Sequence, residues 1–348
     1  GLGKKVAVIE SQYLGGTCVN VGCVPKKLFV YASEYSTHFS DSQGLGWQTS
    51  SDTPFEWQKL LENKNTEISR LNSIYKKLLD NSGATLIEGW GRLHGAHEVI
   101  VNDTLISGEK ILLATGGTPK KPSIPGADLF LTSDDMFYLE ELPASVAIIG
   151  AGYIGVEFAS IFNGLGSAVE IFVRKQKILR GFDNDLVETL QGEMQRKGIQ
   201  FAFETSISKA EKQGKKIELT LTDGSTRTVD MVLTATGRES RFDGLGLNEV
   251  GVTLTPQNKI EVNDAFQTNV PSIYALGDII DGPELTPVAL YEAMCFISTQ
   301  YEGNPKKADY TNIATAVFSQ PNLATVGYNE QEANALFPED ISIFQSSF

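Results

Sequence analysis

The segment Val146-Ala-Ile-Ile-Gly-Ala-Gly-Tyr-Ile-Gly155 decides the fold class of this 348-residue chain. A short apolar run leads directly into Gly150-x-Gly152-x-x-Gly155, and a second apolar run, Ala168-Val-Glu-Ile-Phe-Val173, follows an apolar stretch of helical length. Strand, glycine loop, helix and strand within about 30 residues predict a βαβ unit that binds a dinucleotide. The alternative is a glycine turn with a structural role only.

The residues after the second strand bear on which dinucleotide binds. Val173 is followed by Arg174-Lys-Gln-Lys-Ile-Leu-Arg180, without the acidic residue that binds an adenine ribose 2′-hydroxyl. A basic cluster there fits a 2′-phosphate, so we expect NADPH; a solvated basic loop is the alternative. The strand Lys5-Val-Ala-Val-Ile-Glu10 does end in an acid, which predicts an unphosphorylated ribose, as FAD presents.

The glycine pattern indicates an internal duplication. Ala114-Thr-Gly116 after one strand recurs as Ala235-Thr-Gly237 after another, which predicts an α/β protein with two Rossmann-like dinucleotide-binding domains. In the second half of the duplication, a strand and a glycine loop precede the strand 168–173. No such strand and phosphate loop precede the strand that ends at Glu10 in the first half. We therefore expect a chain truncated at both ends. The expected domains are 1–117 for FAD, 118–240 for NADPH, 241–311 completing the FAD domain, and 312–348 beginning an α+β interface domain.

Two cysteines stand in Gly15-Gly-Thr-Cys18-Val-Asn-Val-Gly-Cys23-Val-Pro-Lys26. On a regular helix, positions five apart diverge by about 140°, so Gly22 would have to supply a local distortion that brings the sulfurs within bonding distance. Lys26 would lower a nearby thiol pKa and favour a reactive thiolate. The pattern favours a redox-active pair over two buried structural cysteines.

Composition excludes several classes of protein. Lys and Arg number 29 against 43 Asp and Glu, a net charge of −14 that argues against nucleic-acid or anionic-membrane partners. No apolar run reaches the roughly 18 residues of a membrane span. Three cysteines exclude a disulfide scaffold, and no metal site is expected. His38, His94 and His97 are expected at the surface, and Cys295 in the core.

Together these stretches resemble the flavoprotein disulfide reductases, a class of pyridine nucleotide-disulfide oxidoreductases, and among them the NADPH-dependent, glutathione-reductase-like branch. The motifs that carry the resemblance are the cysteine loop, Ala114-Thr-Gly-Gly117, Gly150-Ala-Gly-Tyr-Ile-Gly-Val-Glu157, Ala235-Thr-Gly-Arg238, Gly277-Asp278 and Leu285-Thr-Pro-Val-Ala289.

The resemblance implies a role for each matching position. Cys18 attacks the substrate disulfide, Cys23 lies next to the flavin, and Lys26 lies near flavin N5 with Glu157 as its ion-pair partner. Tyr75 is the implied substrate-site tyrosine. The cofactor-binding residues implied for FAD and NADPH are Glu10, Gly16, Thr17, Thr115, Gly116, Gly150, Gly152, Tyr153 as an aromatic gate, Gly155, Arg174, Arg180, Gly237, Arg238, Gly277, Asp278 at the ribityl chain, and Thr286 near the pyrimidine end of the flavin.

The implied activity is NADPH-dependent reduction of glutathione disulfide through FAD and the cysteine pair, in a cytoplasmic homodimer. Two departures bear on it. No histidine matches the family's catalytic histidine by position, so this chain is expected to turn over poorly. Met294 stands where an arginine usually binds a glutathione carboxylate, which leaves trypanothione or another small disulfide as an alternative substrate. A catalytically incomplete nucleotide-binding fragment is the alternative outside this class.

Overall fold

The computed structural model describes residues 2–50 and 53–346. The helices are Gly16–Asn20 (α1), Cys23–Gly44 (α2), Trp57–Ser82 (α3), Tyr153–Gly164 (α4), Asn184–Arg196 (α5), Leu247–Val250 (α6), Thr286–Tyr301 (α7) and Glu330–Leu336 (α8). The strands are Ala7–Glu10 (β1), Thr85–Glu88 (β2), Arg92–Gly95 (β3), Glu98–Val101 (β4), Thr104–Ser107 (β5), Ile111–Leu113 (β6), Gly117–Pro119 (β7), Ser145–Ile149 (β8), Ala168–Val173 (β9), Gln200–Phe203 (β10), Ile207–Gln213 (β11), Lys216–Leu221 (β12), Thr226–Val229 (β13), Met231–Thr234 (β14), Arg238–Ser240 (β15), Ile273–Ala275 (β16), Thr315–Val317 (β17) and Leu323–Thr325 (β18).

The chain divides into two compact units, each built from separated segments. The first unit consists of Gly1–Val24, Asn65–Thr118 and Arg238–Tyr310. The second unit consists of Pro25–Lys64, Pro119–Gly237 and Thr311–Phe348. The domain limits expected from the sequence stay predictions.

The first unit contains two pairs of parallel strands, β1 with β2 and β6 with β16. Strands β3, β4 and β5 form an antiparallel sheet in which short β-branched and leucine-rich runs alternate with turns. The core includes Leu93, Leu113, Ile273, Cys295 and Phe296, all less than 9% exposed. Burial of Cys295 at 1% confirms it as a core thiol.

The second unit is organised around a parallel sheet with the strand order β10-β9-β8-β14. Numbered along the chain, this is the 3-2-1-4 order of a mononucleotide-binding half, in which the central strand feeds the phosphate-binding turn. The strands read as continuous apolar runs because both faces are buried; Ile148 and Ile171 are fully buried on β8 and β9. Helix α4 packs on these strands through Val156 and Ala159, both 0% exposed.

The predicted α/β class is confirmed, and the strand expected over 168–173 has those bounds. The second unit also contains a three-stranded antiparallel sheet, β11-β12-β13, and a two-stranded antiparallel sheet, β17-β18. His38, His94 and His97 are all exposed, as expected. Among the described helices, none combines the length and the apolar character needed to cross a membrane.

Candidate active site

The two cysteines belong to consecutive helices rather than to one regular helix. Helix α1 ends at Asn20 and α2 begins at Cys23, so the helical path breaks at Val21 and Gly22. A Cβ atom on Gly22 would lie 2.8 Å from the carbonyl oxygen of Thr17 and 3.2 Å from the Cα of Cys18. The distortion expected at Gly22 is therefore present, and only glycine permits this close approach.

The side chains of Cys18 and Cys23 interact with each other as two thiols. No disulfide joins them, and Cys18 forms a side-chain hydrogen bond with Cys23. That contact, with partial desolvation by the surrounding protein, raises the pKa of Cys23 far above its usual range. Thr286, the first residue of α7, places its Oγ1 3.8 Å from the Cys23 Sγ and opposes the shift. Two thiols this close do not both ionise, so the pair carries one negative charge at most near neutral pH.

The second unit contains the ion pair that the resemblance implies. Lys26 Nζ lies 2.8 Å from Glu157 Oε1, and the two side chains are 13% and 5% exposed. The same carboxylate oxygen accepts a hydrogen bond from the backbone N–H of Phe318 at 2.9 Å. The expected contact is confirmed, whereas the roles of both residues stay predictions. Sequence reasoning missed Phe318, because an isolated phenylalanine after a short strand gives no signal.

The glycine loop between β8 and α4 has the shape of a phosphate cradle. Gly150 has a φ of 107°, and a side chain there would collide with the backbone of Ala235. A side chain on Gly155 would collide with the carbonyl of Gly150, which fixes how closely α4 packs on the turn. A Cβ on Gly152 would meet nothing within 4 Å. The open space at Gly152, just before the N-terminus of the 12-residue helix α4, therefore fits a pyrophosphate group.

The basic loop after β9 is tied to this glycine loop. The backbone N–H of Leu179 donates to the carbonyl of Ala151 at 2.8 Å. Arg174 and Arg180 flank that anchor, and both side chains are exposed. In the second unit the two guanidinium groups are thus carried by a loop fixed to the phosphate cradle. Binding of a 2′-phosphate by these arginines stays a prediction.

A cavity of about 230 Å³ opens in the first unit at the end of β1. Its lining residues are Glu10, Ser11, Gln12, Tyr13, Leu14, Leu86, Glu88 and Gly89. The Glu10 carboxylate accepts a hydrogen bond from the backbone N–H of Gln12 at 2.9 Å, which fixes the direction of its side chain. A carboxylate at the wall of a cavity beside a strand end fits a ribose with free hydroxyl groups.

The turn that carries Asp278 is fixed through its backbone. The Asp278 carbonyl accepts hydrogen bonds from Lys259 Nζ at 2.6 Å and Ser240 Oγ at 3.2 Å. Burial, with the nearby Glu284 carboxylate, raises the pKa of the Asp278 side chain. The positive charges of Arg238 and Lys259 oppose this shift, and a carboxylate at this position can accept hydrogen bonds from a polar ligand.

Glu292 is a second residue that sequence reasoning missed. It is 2% exposed on α7, and its carboxylate accepts hydrogen bonds from the Gly277 N–H at 2.7 Å and the Tyr310 hydroxyl at 2.8 Å. Glu292 therefore holds the residue that precedes Asp278. Its only sequence signal is a glutamate inside a mostly apolar helix.

The other expected site residues lie at strand ends, turns or exposed positions. Thr115 donates to the Arg241 carbonyl, and Arg238 donates to the Gly117 carbonyl at 2.6 Å. Tyr75 on α3 is 39% exposed, and Tyr153 at the start of α4 is 41% exposed. The remaining ones are Gly16 and Thr17 in α1 and Gly116, Gly237 and Gly277, three glycines with positive φ. Their functional assignments stay predictions, and no group of three His, Cys, Asp or Glu side chains in residues 2–50 and 53–346 could hold a metal ion.

Comparison with known proteins agrees with these features. The family model described as pyridine nucleotide-disulphide oxidoreductase matches residues 2–293. A glutathione reductase of Burkholderia cepacia is 40% identical over this whole chain, which covers 77% of that protein. The chloroplastic/mitochondrial glutathione reductase of Pisum sativum is 43% identical over 96% of this chain, which covers 61% of it. A trypanothione reductase of Trypanosoma congolense is 38% identical over 99% of this chain and 75% of its own length. Since the matched residues make up most of the chain and include the glycine loop and both cysteines, the chain belongs to the pyridine nucleotide-disulphide oxidoreductase family.

Proposed function

We propose that this protein reduces glutathione disulfide at the expense of NADPH, with FAD as its bound cofactor. The observation that carries the proposal is the Cys18–Cys23 pair, held as two interacting thiols across the break at Gly22. FAD, when bound, supplies the two-electron link between NADPH and this pair. The relatives named as glutathione reductases support the choice of substrate.

The cysteine pair can carry out the exchange in two steps. The Cys18 thiolate attacks one sulfur of the substrate disulfide, which forms a mixed disulfide and releases the first glutathione thiolate. Cys23 then gives its proton to the released glutathione thiolate and attacks the Cys18 sulfur, which releases the second thiolate and closes the Cys18–Cys23 disulfide. Two electrons from NADPH restore the two thiols, so one NADPH is oxidised for each disulfide reduced.

The raised pKa of Cys23 supports this division of roles. A Cys23 that keeps its proton leaves the single negative charge of the reduced pair on Cys18. The thiolate is the nucleophile in disulfide exchange, so Cys18 attacks first. Formation of the mixed disulfide removes the Cys18 charge, and the main cause of the raised Cys23 pKa disappears with it. Cys23 therefore ionises more easily when its attack is required.

Nucleotide choice follows from the two strand ends. Arg174 and Arg180 follow a strand that lacks a terminal acid, which supports NADPH at the second unit's glycine loop. Glu10 lines the cavity of the first unit, which supports the adenosine end of FAD there. The expected homodimer and the expected cytoplasmic location are proposals that rest on the resemblance alone.

The test is an anaerobic titration of the purified protein loaded with FAD and reduced with one equivalent of NADPH. Glutathione disulfide should reoxidise it and yield two thiols per NADPH. Cys18→Ser should abolish the reaction, whereas Cys23→Ser should trap a mixed disulfide visible as a mass increase of one glutathionyl group. Faster reoxidation by trypanothione disulfide would favour the alternative substrate, and no reoxidation by either would contradict the proposal.

A further inference from the structure

The segment after β17 is anchored in the second unit by buried polar contacts. The backbone N–H of Gln320 donates to Ser160 Oγ at 3.2 Å, and its side-chain Nε2 donates to Ser33 Oγ at 2.7 Å. Ser319 is 0% and Gln320 6% exposed. These contacts fix the segment against helices α2 and α4, so Phe318 next to them has a defined position.

Phe318 contacts both halves of the Lys26–Glu157 ion pair. Its backbone N–H donates to the Glu157 oxygen that also binds Lys26. Its ring centroid lies 4.0 Å from Lys26 Nζ and 3.6 Å from Lys27 Nζ. An ammonium group within about 6 Å of an aromatic centroid is attracted by the negative face of the ring. One residue therefore contacts the carboxylate and two adjacent ammonium groups.

The ring of Phe318 lies where two neighbouring lysine side chains of α2 repel each other. Lys26 and Lys27 are adjacent, both are partly buried, and only Lys26 reaches the Glu157 carboxylate in an ion pair. Desolvation, followed by repulsion from Lys26, lowers the pKa of Lys27, and the carboxylates of Glu34 and Glu157 oppose this shift. The rings of Phe318 and of Tyr31, the latter 4.9 Å from Lys27 Nζ, attract the Lys27 ammonium without adding a formal charge.

We propose that Phe318 is a positioning residue that holds the Lys26 ammonium against Glu157 and the Lys27 ammonium beside it. The consequence for catalysis rests on the proposed function, in which Lys26 acts near the flavin. Loss of the Phe318 ring removes its share of the attraction for both ammonium groups, whereas the Tyr31 ring still attracts Lys27 and the backbone hydrogen bond to Glu157 is kept. Lys27 then protonates less readily, and Lys26 is held in place less firmly.

The test compares Phe318→Leu, which removes the ring at similar volume, with Phe318→Tyr, which keeps it. The matched control is Phe39→Leu. Phe39 lies on α2, the helix that carries Lys26, but is 13 residues or about 20 Å away from Lys26. Selectively ¹³Cε-labelled lysine reports the titration of Lys27, which Lys27→Arg assigns. Anaerobic stopped-flow absorbance reports the rate at which NADPH reduces the bound flavin.

In Phe318→Leu we expect the pKa of Lys27 to fall by about 0.5–1 unit, the size of an ammonium–ring attraction. Flavin reduction should slow by roughly 3- to 10-fold, which corresponds to the same range. Phe318→Tyr should restore both values, and Phe39→Leu should leave them unchanged. If Phe318→Leu does not fold, Phe318→Met replaces it, with the same direction expected.

An unchanged Lys27 titration in the Leu or Met variant would overturn the proposal, as would equal losses in the Leu and Tyr variants. The titration does not require NADPH chemistry. If the unaltered protein is not reduced by NADPH, the proposed function fails, whereas the Lys27 titration still decides whether Phe318 positions these side chains.

Discussion

Lys26 and Glu157 form an ion pair with a separation of 2.8 Å although 131 residues separate them in the chain. The pair joins the first turn of α2 to the second turn of α4 within the second unit, and both side chains are largely shielded from water. Removal of one partner from such a pair leaves an uncompensated buried charge, which costs far more than the pair contributes as a whole.

The first prediction concerns the stability of this pair. Lys26→Met or Glu157→Leu alone should lower the free energy of unfolding by about 3–5 kcal/mol, because each leaves the other charge buried. The double variant should cost clearly less than the sum, since no charge is then stranded. Urea denaturation of the four proteins measures this cycle. Lys59→Met, at a pair that is 63% and 68% exposed, is the control and should cost under about 1 kcal/mol. Additive effects at Lys26 and Glu157 would contradict the prediction.

The second prediction concerns the break between α1 and α2. Gly22→Ala should force the Cys18 turn away from Cys23, because its Cβ would lie 2.8 Å from the Thr17 carbonyl oxygen. Overpacking of this size costs about 1–3 kcal/mol. If the cost falls on the disulfide, its reduction potential should rise by roughly 20–60 mV, as measured in dithiothreitol redox buffers.

The control for that change is Gly44→Ala in the last turn of α2. A Cβ on Gly44 would meet nothing within 4 Å, so the potential of the cysteine pair should stay unchanged. Equal potentials in both variants and the unaltered protein would show that Gly22 does not position the thiols.

The sequence predicts those parts of the fold and the site whose contacts lie within a few residues of each other. The βαβ unit follows from Gly150, Gly155 and the apolar runs on either side, because the steric need for glycine arises within a few residues. The break at Gly22 follows from the cysteine spacing for the same reason. Phe318 is different: its hydrogen bond to Glu157 spans 161 residues, and neither residue type is unusual in its own segment.

Glu292 shows the same limit in the first unit. Its contact with Gly277 spans 15 residues and joins a helix to a turn that precedes it. A glutamate in an apolar helix gives no indication of which backbone amide it binds. Recognition of Lys26 and Glu157 as partners came from a family resemblance, since nothing local to either residue connects them.

The third prediction concerns nucleotide choice. Arg174→Ala and Arg180→Ala should each weaken NADPH binding roughly 10-fold or more, since a charge-assisted contact to phosphate is lost. NADH binding should change less than 2- to 3-fold, because NADH carries no 2′-phosphate. Fluorescence titration with both nucleotides gives the ratio of the NADPH and NADH dissociation constants. The control is Arg196→Ala, at the end of α5, which should leave this ratio unchanged. An unchanged ratio in the Arg174→Ala/Arg180→Ala double variant would refute the assignment of these arginines to the 2′-phosphate.

The last prediction concerns the pH dependence that Asp278 confers. Burial and the Glu284 carboxylate raise the pKa of Asp278 in the folded protein above the value of about 3.9 expected when unfolded. The folded state therefore binds the proton more tightly, and stability is lost as the pH rises from about 3.9 through the folded pKa. Asp278→Asn has no such proton, so the protein without FAD should melt at a higher temperature than the unaltered protein at pH 7. The difference should shrink below about pH 4, where the carboxyl is protonated in both states.

FAD binding should weaken in the same variant, because the resemblance assigns this carboxylate to the ribityl hydroxyl groups. Calorimetry between pH 3.5 and 8 measures the melting temperatures, and quenching of flavin fluorescence measures FAD binding. The control is Asp243→Asn, at an exposed turn of the first unit. A melting difference that persists unchanged to low pH would show that the charge of Asp278 is not its cause.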